Sequence, residues 1–168
     1  MVRAILAKQS DERHVYNGRR EMLEIAKVCS HRQTRAAIRT AFYSGMRLSE
    51  ILRAIPTKDG FSLGTTKNGR PRLIPIHPRI AVIARSVKFT APAWKIKDEW
   101  IKARRKSGHL GVRFRDLRHS AASEMIKAGI DLYTVAGVLG HKTTTSTKRY
   151  AHLVTDRLAE AVKKIGRS

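Results

Sequence analysis

Three short clusters of residues in this sequence carry side chains that could handle a phosphate group, and a tyrosine follows the last of them. The clusters span residues 45–50, 115–122 and 139–141, and Tyr150 comes nine residues after the third cluster. Guanidinium groups offer paired N–H donors that match phosphate oxygens, and a phenol can act as a nucleophile once it has lost its proton. Side chains of these types are therefore candidates for binding a phosphate group and for chemistry on it.

Taken one at a time, the candidate side chains have ordinary explanations. An arginine at a helix start is most often a solvated charge, and a histidine after a glycine is most often part of a helix cap. The order and spacing of the clusters are therefore more informative than any single residue. Arg47 and Arg118 both carry guanidiniums, which could stabilise negative charge on phosphate oxygens. The sequence contains no carboxylate cluster of the kind that magnesium needs, so we expect neither a metal ion nor a cofactor.

The charge of the chain points to a polyanionic partner. Its 168 residues include 35 lysines and arginines against 13 aspartates and glutamates, which gives a formal net charge of +22. A folded protein this basic repels itself unless an acidic partner such as nucleic acid neutralises it. The single cysteine, Cys29, excludes an intrachain disulfide and a cysteine-rich zinc site and fits a cytoplasmic setting. We find no signal peptide and no apolar run of about 20 residues, so no membrane partner is expected.

The length allows one domain with a real core, and periodicity predicts a mainly helical domain with a small antiparallel β-sheet, an α+β fold. Helices are expected from Arg20 onward and over 33–43, 47–52, 78–86, 94–106, 114–128, 132–139 and 153–165. Glycines at 45, 129 and 140 follow three of these segments, as expected where a helix ends. Residues 1–17 lack periodicity, and we interpret them as a tail or the end of a linker.

A β-hairpin is expected between the two groups of helices. Two short apolar segments, 61–63 and 72–76, flank Asn68 and Gly69, which together tolerate the positive φ angles of a tight turn. Pro71, which precedes the second segment, and Pro75 within it cannot donate hydrogen bonds to a neighbouring strand. That strand is therefore expected to lie at an edge of the sheet.

The ordered set of motifs resembles the tyrosine recombinases, a family that includes the phage integrases. Its members carry an arginine in G-[LM]-R-[LIV]-[SG]-E, a lysine in a β-hairpin, H-x-L-R-H-[ST]-x-A, then L-G-H and a tyrosine about nine residues later. The matching positions here are Arg47, Lys67, Arg118, His141 and Tyr150. The resemblance covers about residues 20–165. It implies the recombinase catalytic-domain fold and cleavage of double-stranded DNA through a 3′-phosphotyrosine intermediate, without metal or ATP.

Two of the implied roles move protons. A free phenol has a pKa near 10, so holding Tyr150 ionised at neutral pH costs about 4 kcal/mol, which a basic site would reduce. By resemblance, Lys67 protonates the departing 5′ oxygen of the DNA. Other cations lie close to it in the sequence, and the assignment stays open between Lys67 and its neighbours Lys58, Arg70 and Arg72.

The resemblance also implies that His141 hydrogen-bonds the same phosphate, and we expect Glu50 to support the site by pairing with an arginine. One position departs from the family pattern, because Arg115 stands where a histidine is usual. An arginine has a pKa above 12 and cannot accept the tyrosine proton, so another group or water must do so. Arg115 lies three residues before Arg118, on the same helix face, and we expect it to add phosphate binding. The other interpretation is an exposed surface charge.

Residues 18–168 are expected to form the catalytic domain. Within it, residues 153–168 form a C-terminal helix that packs on its own domain or is exchanged with a neighbouring subunit. The N-terminal domain with which integrases clamp DNA is expected to be absent from this chain. By resemblance, the full-length protein acts on DNA as a homo-tetramer in the cytoplasm of a bacterial host. The resemblance also implies that a phage or mobile element encodes it. This chain alone could be a monomer.

Three other functions stay open at this point. A type IB topoisomerase-like enzyme would share the fold and the chemistry, but the short spacing from L-G-H to the tyrosine favours a recombinase. A DNA-binding regulator with a degenerate catalytic site is kept open by Arg115. A ribosomal or RNA-binding protein would explain the charge but not the ordered arginine, lysine, arginine, histidine and tyrosine.

Overall fold

A computed structural model describes residues 18–65, 71–141 and 162 of the chain. In this part of the chain, a small sheet separates a first group of three helices from a second group of four. The elements in chain order are α1 (Arg19–Val28), α2 (Arg32–Ser44), α3 (Leu48–Arg53), β1 (Ile55–Pro56), β2 (Phe61–Thr65), β3 (Pro71–Ile74), a 3₁₀ turn (Pro78–Ile80), α4 (Ala81–Ser86), α5 (Ala93–Lys106), α6 (Asp116–Lys127) and α7 (Leu132–Leu139).

The mainly helical α+β architecture predicted from the sequence is confirmed. Helix α7 has the predicted bounds, α2, α3, α5 and α6 begin and end within two residues of the predicted positions, and α1 begins one residue before the predicted Arg20. The segment from Pro78 was predicted as one helix but begins as a 3₁₀ turn, and strand β1 was not predicted at all. Among the described residues, no helix combines the length and the apolar character that crossing a lipid bilayer requires. The predicted tail over 1–17 and, apart from Val162, the predicted helix over 153–165 lie outside the described residues.

The sheet is antiparallel in the order β1-β2-β3, so the proline-containing strand β3 lies at an edge, as predicted. The strand ends at Ile74 rather than at the predicted residue 76, because the next residue is a proline that cannot continue the pairing. Phe61 pairs with Ile74, and both side chains are buried, whereas Ile55 and Leu73 on the other face are exposed. The sheet therefore packs one face on the core.

Two hydrophobic clusters hold the helices together. The larger cluster joins α1, α2, α5 and the buried face of the sheet and includes Met22, Ile38 and Trp100. The smaller cluster lies between α6 and α7 and includes Ile126 and Leu139. Full burial of such a side chain stabilises the fold by roughly 1.5–3 kcal/mol. Helix α6 contributes to both clusters, so its first turn is held in a fixed position relative to α2 and α7.

In the first turn of α5, an apolar side chain is exposed and not buried. Trp94 has the same apolar character as the residues that α5 buries, but its side chain is 69% exposed, whereas Trp100 is buried. Trp94 stands beside Ala93 and Pro92 at the start of the helix, before the apolar face meets the core. Cys29, which the sequence places among apolar residues, is buried, and burial raises the pKa of its thiol.

The turn between α2 and α3 brings two distant helices close together. Gly45 ends α2 in the left-handed region with φ of +67°, as its position after the predicted helix suggested. A Cβ atom at this position would lie 2.7 Å from Cδ2 of Leu139 on α7, a distance that real contacts do not reach. The glycine thus allows the end of α2 to pack against α7, and Arg47 follows directly at the start of α3.

Candidate active site

An open cleft of about 610 Å³ lies at the junction of α3, α5, α6 and the end of α7. The described residues that line it include four lysine or arginine side chains and no carboxylate. Its charged and titratable lining side chains are Arg47, Lys97, Arg115, Arg118, His119 and His141. A concave surface with this composition is suited to a bound phosphate.

Arg47 stands at the entrance to α3, with its backbone held by a carboxylate. Its N–H donates to Oε2 of Glu50 at 2.8 Å, and its guanidinium Nη1 donates to Oε1 of the same side chain at 3.2 Å. The Arg47 side chain is 52% exposed. Glu50 therefore fixes where this arginine leaves the backbone while its guanidinium remains open to the cleft.

Arg118 lies in the first turn of α6 and is almost completely buried. Its Nη1 donates to the carbonyl of Gly45 at 2.8 Å, and its Nη2 donates to the carbonyl of Leu139 at 2.7 Å. Backbone carbonyls from the ends of two other helices thus hold the plane of the guanidinium. The side chain lies at the floor of the cleft in a single orientation, so it cannot turn away into solvent as a surface arginine would.

Glu50 connects three arginines through one buried carboxylate. Besides its bonds to Arg47, its Oε1 accepts from Nη1 of Arg72 at 2.8 Å, and its Oε2 lies 3.7 Å from Nη1 of Arg118. Burial alone would raise the pKa of Glu50, but the backbone hydrogen bond from Arg47 and the charges of the three arginines outweigh burial and lower it. The carboxylate is therefore ionised at neutral pH, as the predicted pairing with an arginine requires.

Arg72 is the component of this network that the sequence did not single out. It was noted only as one of several cations near the hairpin, yet its side chain is just 14% exposed. Its Nη2 donates to the carbonyl of Val138 in the last turn of α7. Burial lowers the pKa of Arg72, and the adjacent Glu50 partly opposes that effect. No local motif marks this role, because the contacts join residues that are 22 and 66 positions apart.

Arg115 and His141 reach the cleft from the ends of their helices. Arg115 directly precedes α6, and its carbonyl accepts the N–H of Arg118 at 3.1 Å, one turn further on. His141 follows Gly140, which ends α7 with φ of +66°, and its N–H donates to the carbonyl of Ala136 at 3.0 Å. Both side chains line the cleft, so Arg115 is an exposed charge that also faces the candidate site.

The structure thus brings together four of the residues that the sequence predicted for the site: Arg47, Arg115, Arg118 and His141. Lys67 and Tyr150 lie outside the described residues, so their roles stay predictions. Glu50 lies behind the cleft wall rather than in its lining. Within the described part of the chain, no group of three or more histidine, cysteine, aspartate or glutamate side chains is placed to hold a metal ion.

The Glu50→Gln variant should be destabilised, because it leaves buried guanidiniums without their counter-charge. We expect the free energy of unfolding at pH 7 to fall by about 3–5 kcal/mol, measured by urea denaturation. The folded pKa of Glu50 is lowered from its usual 4.5, so its stabilising effect is present above that value and is lost as the pH falls through the folded pKa. The difference between wild type and variant should therefore narrow in acid.

A matched control for this experiment is Glu99→Gln. Glu99 also binds two cations, but its partners Lys95 and Lys102 are 37% and 61% exposed, so solvent screens their charges. We expect a much smaller loss of stability in this variant. An equal loss in the two variants, or a difference between wild type and Glu50→Gln that persists unchanged into acid, would contradict the central role of Glu50.

Comparison of the sequence with known proteins identifies relatives that are named as tyrosine recombinases, a DNA recombinase and an integrase. Residues 90–157 match the model of the phage integrase family. A tyrosine recombinase of Thermosipho africanus is 26% identical in an alignment 153 positions long, which covers 78% of this chain and 53% of that protein. The integrase of Salmonella phage P22 is 33% identical over 66 residues, 39% of this chain and 17% of the integrase. The chain spans about half the length of the Thermosipho relative.

Solved structures show the same fold. The catalytic domain of bacteriophage HP1 integrase has a TM-score of 0.71 and 22% sequence identity, with 89% of this chain and 94% of that chain covered. The recombinase XerA has a TM-score of 0.68 and 17% identity, covering 90% of this chain and 64% of that one. The family model, the relatives and the shared fold agree: this chain is similar to the phage integrases and other tyrosine recombinases, and it has the fold of their catalytic domain.

Proposed function

We propose that this domain cuts and rejoins double-stranded DNA as a site-specific recombinase of the integrase type. The observation that carries the proposal is the cleft, in which Arg47, Arg115, Arg118 and His141 surround one space and no carboxylate appears among its described lining residues. Such a space suits a phosphodiester better than a neutral ligand. The fold and the family of the chain support the same activity.

In the proposed reaction, the phenolate oxygen of Tyr150 attacks phosphorus and forms a phosphotyrosine bond to the 3′ side of the break. The bond from phosphorus to the 5′ oxygen breaks, and Lys67 supplies the proton that the departing oxygen needs. The proton of Tyr150 passes to water or another group, because Arg115 cannot accept it. The 5′ hydroxyl of a second strand then reverses the step, so no ATP is consumed.

The cleft arginines have a defined part in this reaction. Attack on phosphorus increases the negative charge on the phosphate oxygens, and guanidiniums already held in place stabilise it without reorganising. Arg118 is held by two backbone carbonyls and Arg47 by Glu50, so neither needs to be ordered when DNA binds. His141 adds an N–H donor to the same phosphate. A fixed cationic floor would also lower the pKa of the attacking phenol.

Related structures support DNA as the partner. One describes the recombinase XerH bound to its difH substrate before cleavage, with a TM-score of 0.65 to this chain, and another describes the Tn1549 transposon integrase with transposon right-end DNA, with a TM-score of 0.58.

For this chain we propose that residues 18–168 are the catalytic domain of a protein that acts as a homo-tetramer on DNA in a bacterial cell, with residues 153–168 as the segment exchanged between subunits.

A DNA-binding regulator is the second candidate function. The presence of Arg115, exposed in the cleft where the family usually has a histidine, favours it, because a site without that histidine could bind phosphate without cutting. This candidate and the recombinase make opposite predictions about a covalent adduct with DNA.

Replacement of Tyr150 by phenylalanine should abolish covalent capture of DNA. On a nicked suicide duplex that carries candidate attachment sequences, we expect the wild type to form an adduct visible by denaturing gel electrophoresis. The variant Tyr150→Phe should form none, while its affinity for the same duplex is unchanged, because only the nucleophilic oxygen is removed.

A second tyrosine, Tyr133, provides a control for this substitution, since it is 81% exposed on α7. The variant Tyr133→Phe should form the adduct at the wild-type rate. If the wild type yields no adduct at low salt, even within a full-length protein, the regulator becomes the preferred function. An adduct that persists in Tyr150→Phe would show that another residue is the nucleophile.

Replacement of Arg115 by the family's usual histidine should leave the protein active. Histidine keeps a phosphate-binding N–H at this position and adds a group that can accept the tyrosine proton. We therefore expect Arg115→His to form the adduct at a rate near that of the wild type, whereas Arg115→Ala should be slower.

The control for this prediction is Arg113→His, because Arg113 is exposed two residues earlier and does not line the cleft. It should not affect the rate. Complete loss of strand cleavage in Arg115→His would refute the idea that Arg115 acts through phosphate binding.

A further inference from the structure

One buried cation near the cleft does not line it. The side chain of Arg72 starts on edge strand β3 and reaches two other elements. Its Nη1 donates to Oε1 of Glu50 on α3 at 2.8 Å, and its Nη2 donates to the carbonyl of Val138 in the last turn of α7. A single side chain therefore ties the sheet to both helices.

The end of α7 is held by two arginines in succession. Arg118 donates a hydrogen bond to the carbonyl of Leu139 at 2.7 Å, and Arg72 donates one to the carbonyl of Val138, the residue before it. His141 follows two residues after Leu139, with its own N–H bonded back to the helix. The backbone that carries the imidazole ring is thus fixed from the sheet and from α6 at once.

Because residue 140 is a glycine, the guanidinium of Arg72 can occupy the space that a side chain at this position would fill. A Cβ atom at position 140 would lie 2.5 Å from both Cζ and Nη1 of the Arg72 guanidinium. A guanidinium at the end of a flexible side chain would ordinarily move aside, but both sides of this one are already bonded. A side chain at position 140 therefore has to break the contact with Glu50, the contact with Val138, or both.

We propose that Arg72 is a positioning residue that sets the place of His141 relative to Arg118, and that Gly140 is required because it admits the Arg72 guanidinium. The consequence for DNA cleavage rests on the proposed function, whereas the placement of the His141 ring does not. Arg72 would act through His141 without touching DNA, so its loss should affect the rate of cleavage more than the affinity for DNA.

Two variants remove the contact by different routes. Arg72→Met keeps most of the aliphatic side chain but removes the guanidinium, and it leaves Glu50 with one partner fewer. Gly140→Ala keeps every charge and displaces the guanidinium instead. Arg72→Lys should have an intermediate effect, because one ammonium group cannot reproduce the fork that reaches Glu50 and Val138 together.

Two glycine variants provide matched controls. Gly108 has φ of +79°, and a Cβ atom there would meet nothing within 4 Å, so Gly108→Ala imposes the backbone strain of Gly140→Ala without the collision. Gly137 lies within α7 and is also open, so Gly137→Ala tests for a general effect of a methyl group on that helix.

The first measurement does not depend on cleavage. The ¹H–¹³C signal of the His141 ring, assigned with His141→Gln, reports the surroundings of the imidazole in the folded protein. We expect this signal to shift in Arg72→Met and Gly140→Ala and to stay at the wild-type position in Gly108→Ala and Gly137→Ala. Thermal unfolding of each variant shows how much fold stability is lost.

The second measurement is the rate of adduct formation on the suicide duplex at saturating protein, together with the dissociation constant for the same DNA. We expect the rate to fall by about 100-fold in Arg72→Met and Gly140→Ala, as for a catalytic group displaced by about 1 Å, with the dissociation constant nearly unchanged. The two control glycine variants should react at the wild-type rate.

The outcomes separate this proposal from the proposed function. A His141 signal that stays in place in both Arg72→Met and Gly140→Ala would overturn the positioning role, and so would rates that fall in Gly108→Ala as far as in Gly140→Ala. If the wild type forms no adduct, the proposed function fails, and the His141 signal still decides whether Arg72 positions the ring.

Discussion

The structure depends on one buried carboxylate. Glu50 accepts a backbone N–H and binds the guanidiniums of Arg47 and Arg72, with Arg118 close by. Three arginines lie close together at this cleft, and two of them, Arg72 and Arg118, are largely buried, where like charges repel one another more strongly than in water. The carboxylate offsets this repulsion and, by lying behind the cleft wall, leaves the cleft itself basic.

The fold supplies the rest of the arrangement through helix ends rather than helix faces. Arg47 begins α3, Arg115 immediately precedes α6, and His141 immediately follows α7. Carbonyls that no longer have partners within their own helix are available there, and Arg118 uses two of them, from Gly45 and Leu139. The unpaired carbonyls at the helix ends thus support the cationic floor of the cleft.

The sequence predicted those parts of the site in which short motifs place several functional groups within one helical turn. Arg47 with Glu50 and Arg115 with Arg118 are each three residues apart, so local spacing alone brings them together. Arg72 could not be found in this way, because its partners come from elements that meet only after the sheet has docked. Strand β1 has two residues and carries no periodic signal, and the exposed Trp94 follows the apolar pattern of α5 without sharing its burial. The roles of Lys67 and Tyr150 rest on motif spacing and stay predictions.

The long sequence separations within the arginine network determine when the cleft can form during biosynthesis. Arg118 is fixed by a carbonyl 73 positions before it and by another 21 positions after it. A nascent chain that has emerged only as far as α6 carries most of its positive charge and can already adhere to DNA. It has no formed cationic floor, since α7 has not yet supplied its carbonyl. The cationic floor is therefore completed only when α7 has joined the domain, and a chain that adheres to a polyanion while still folding does so without a finished cleft.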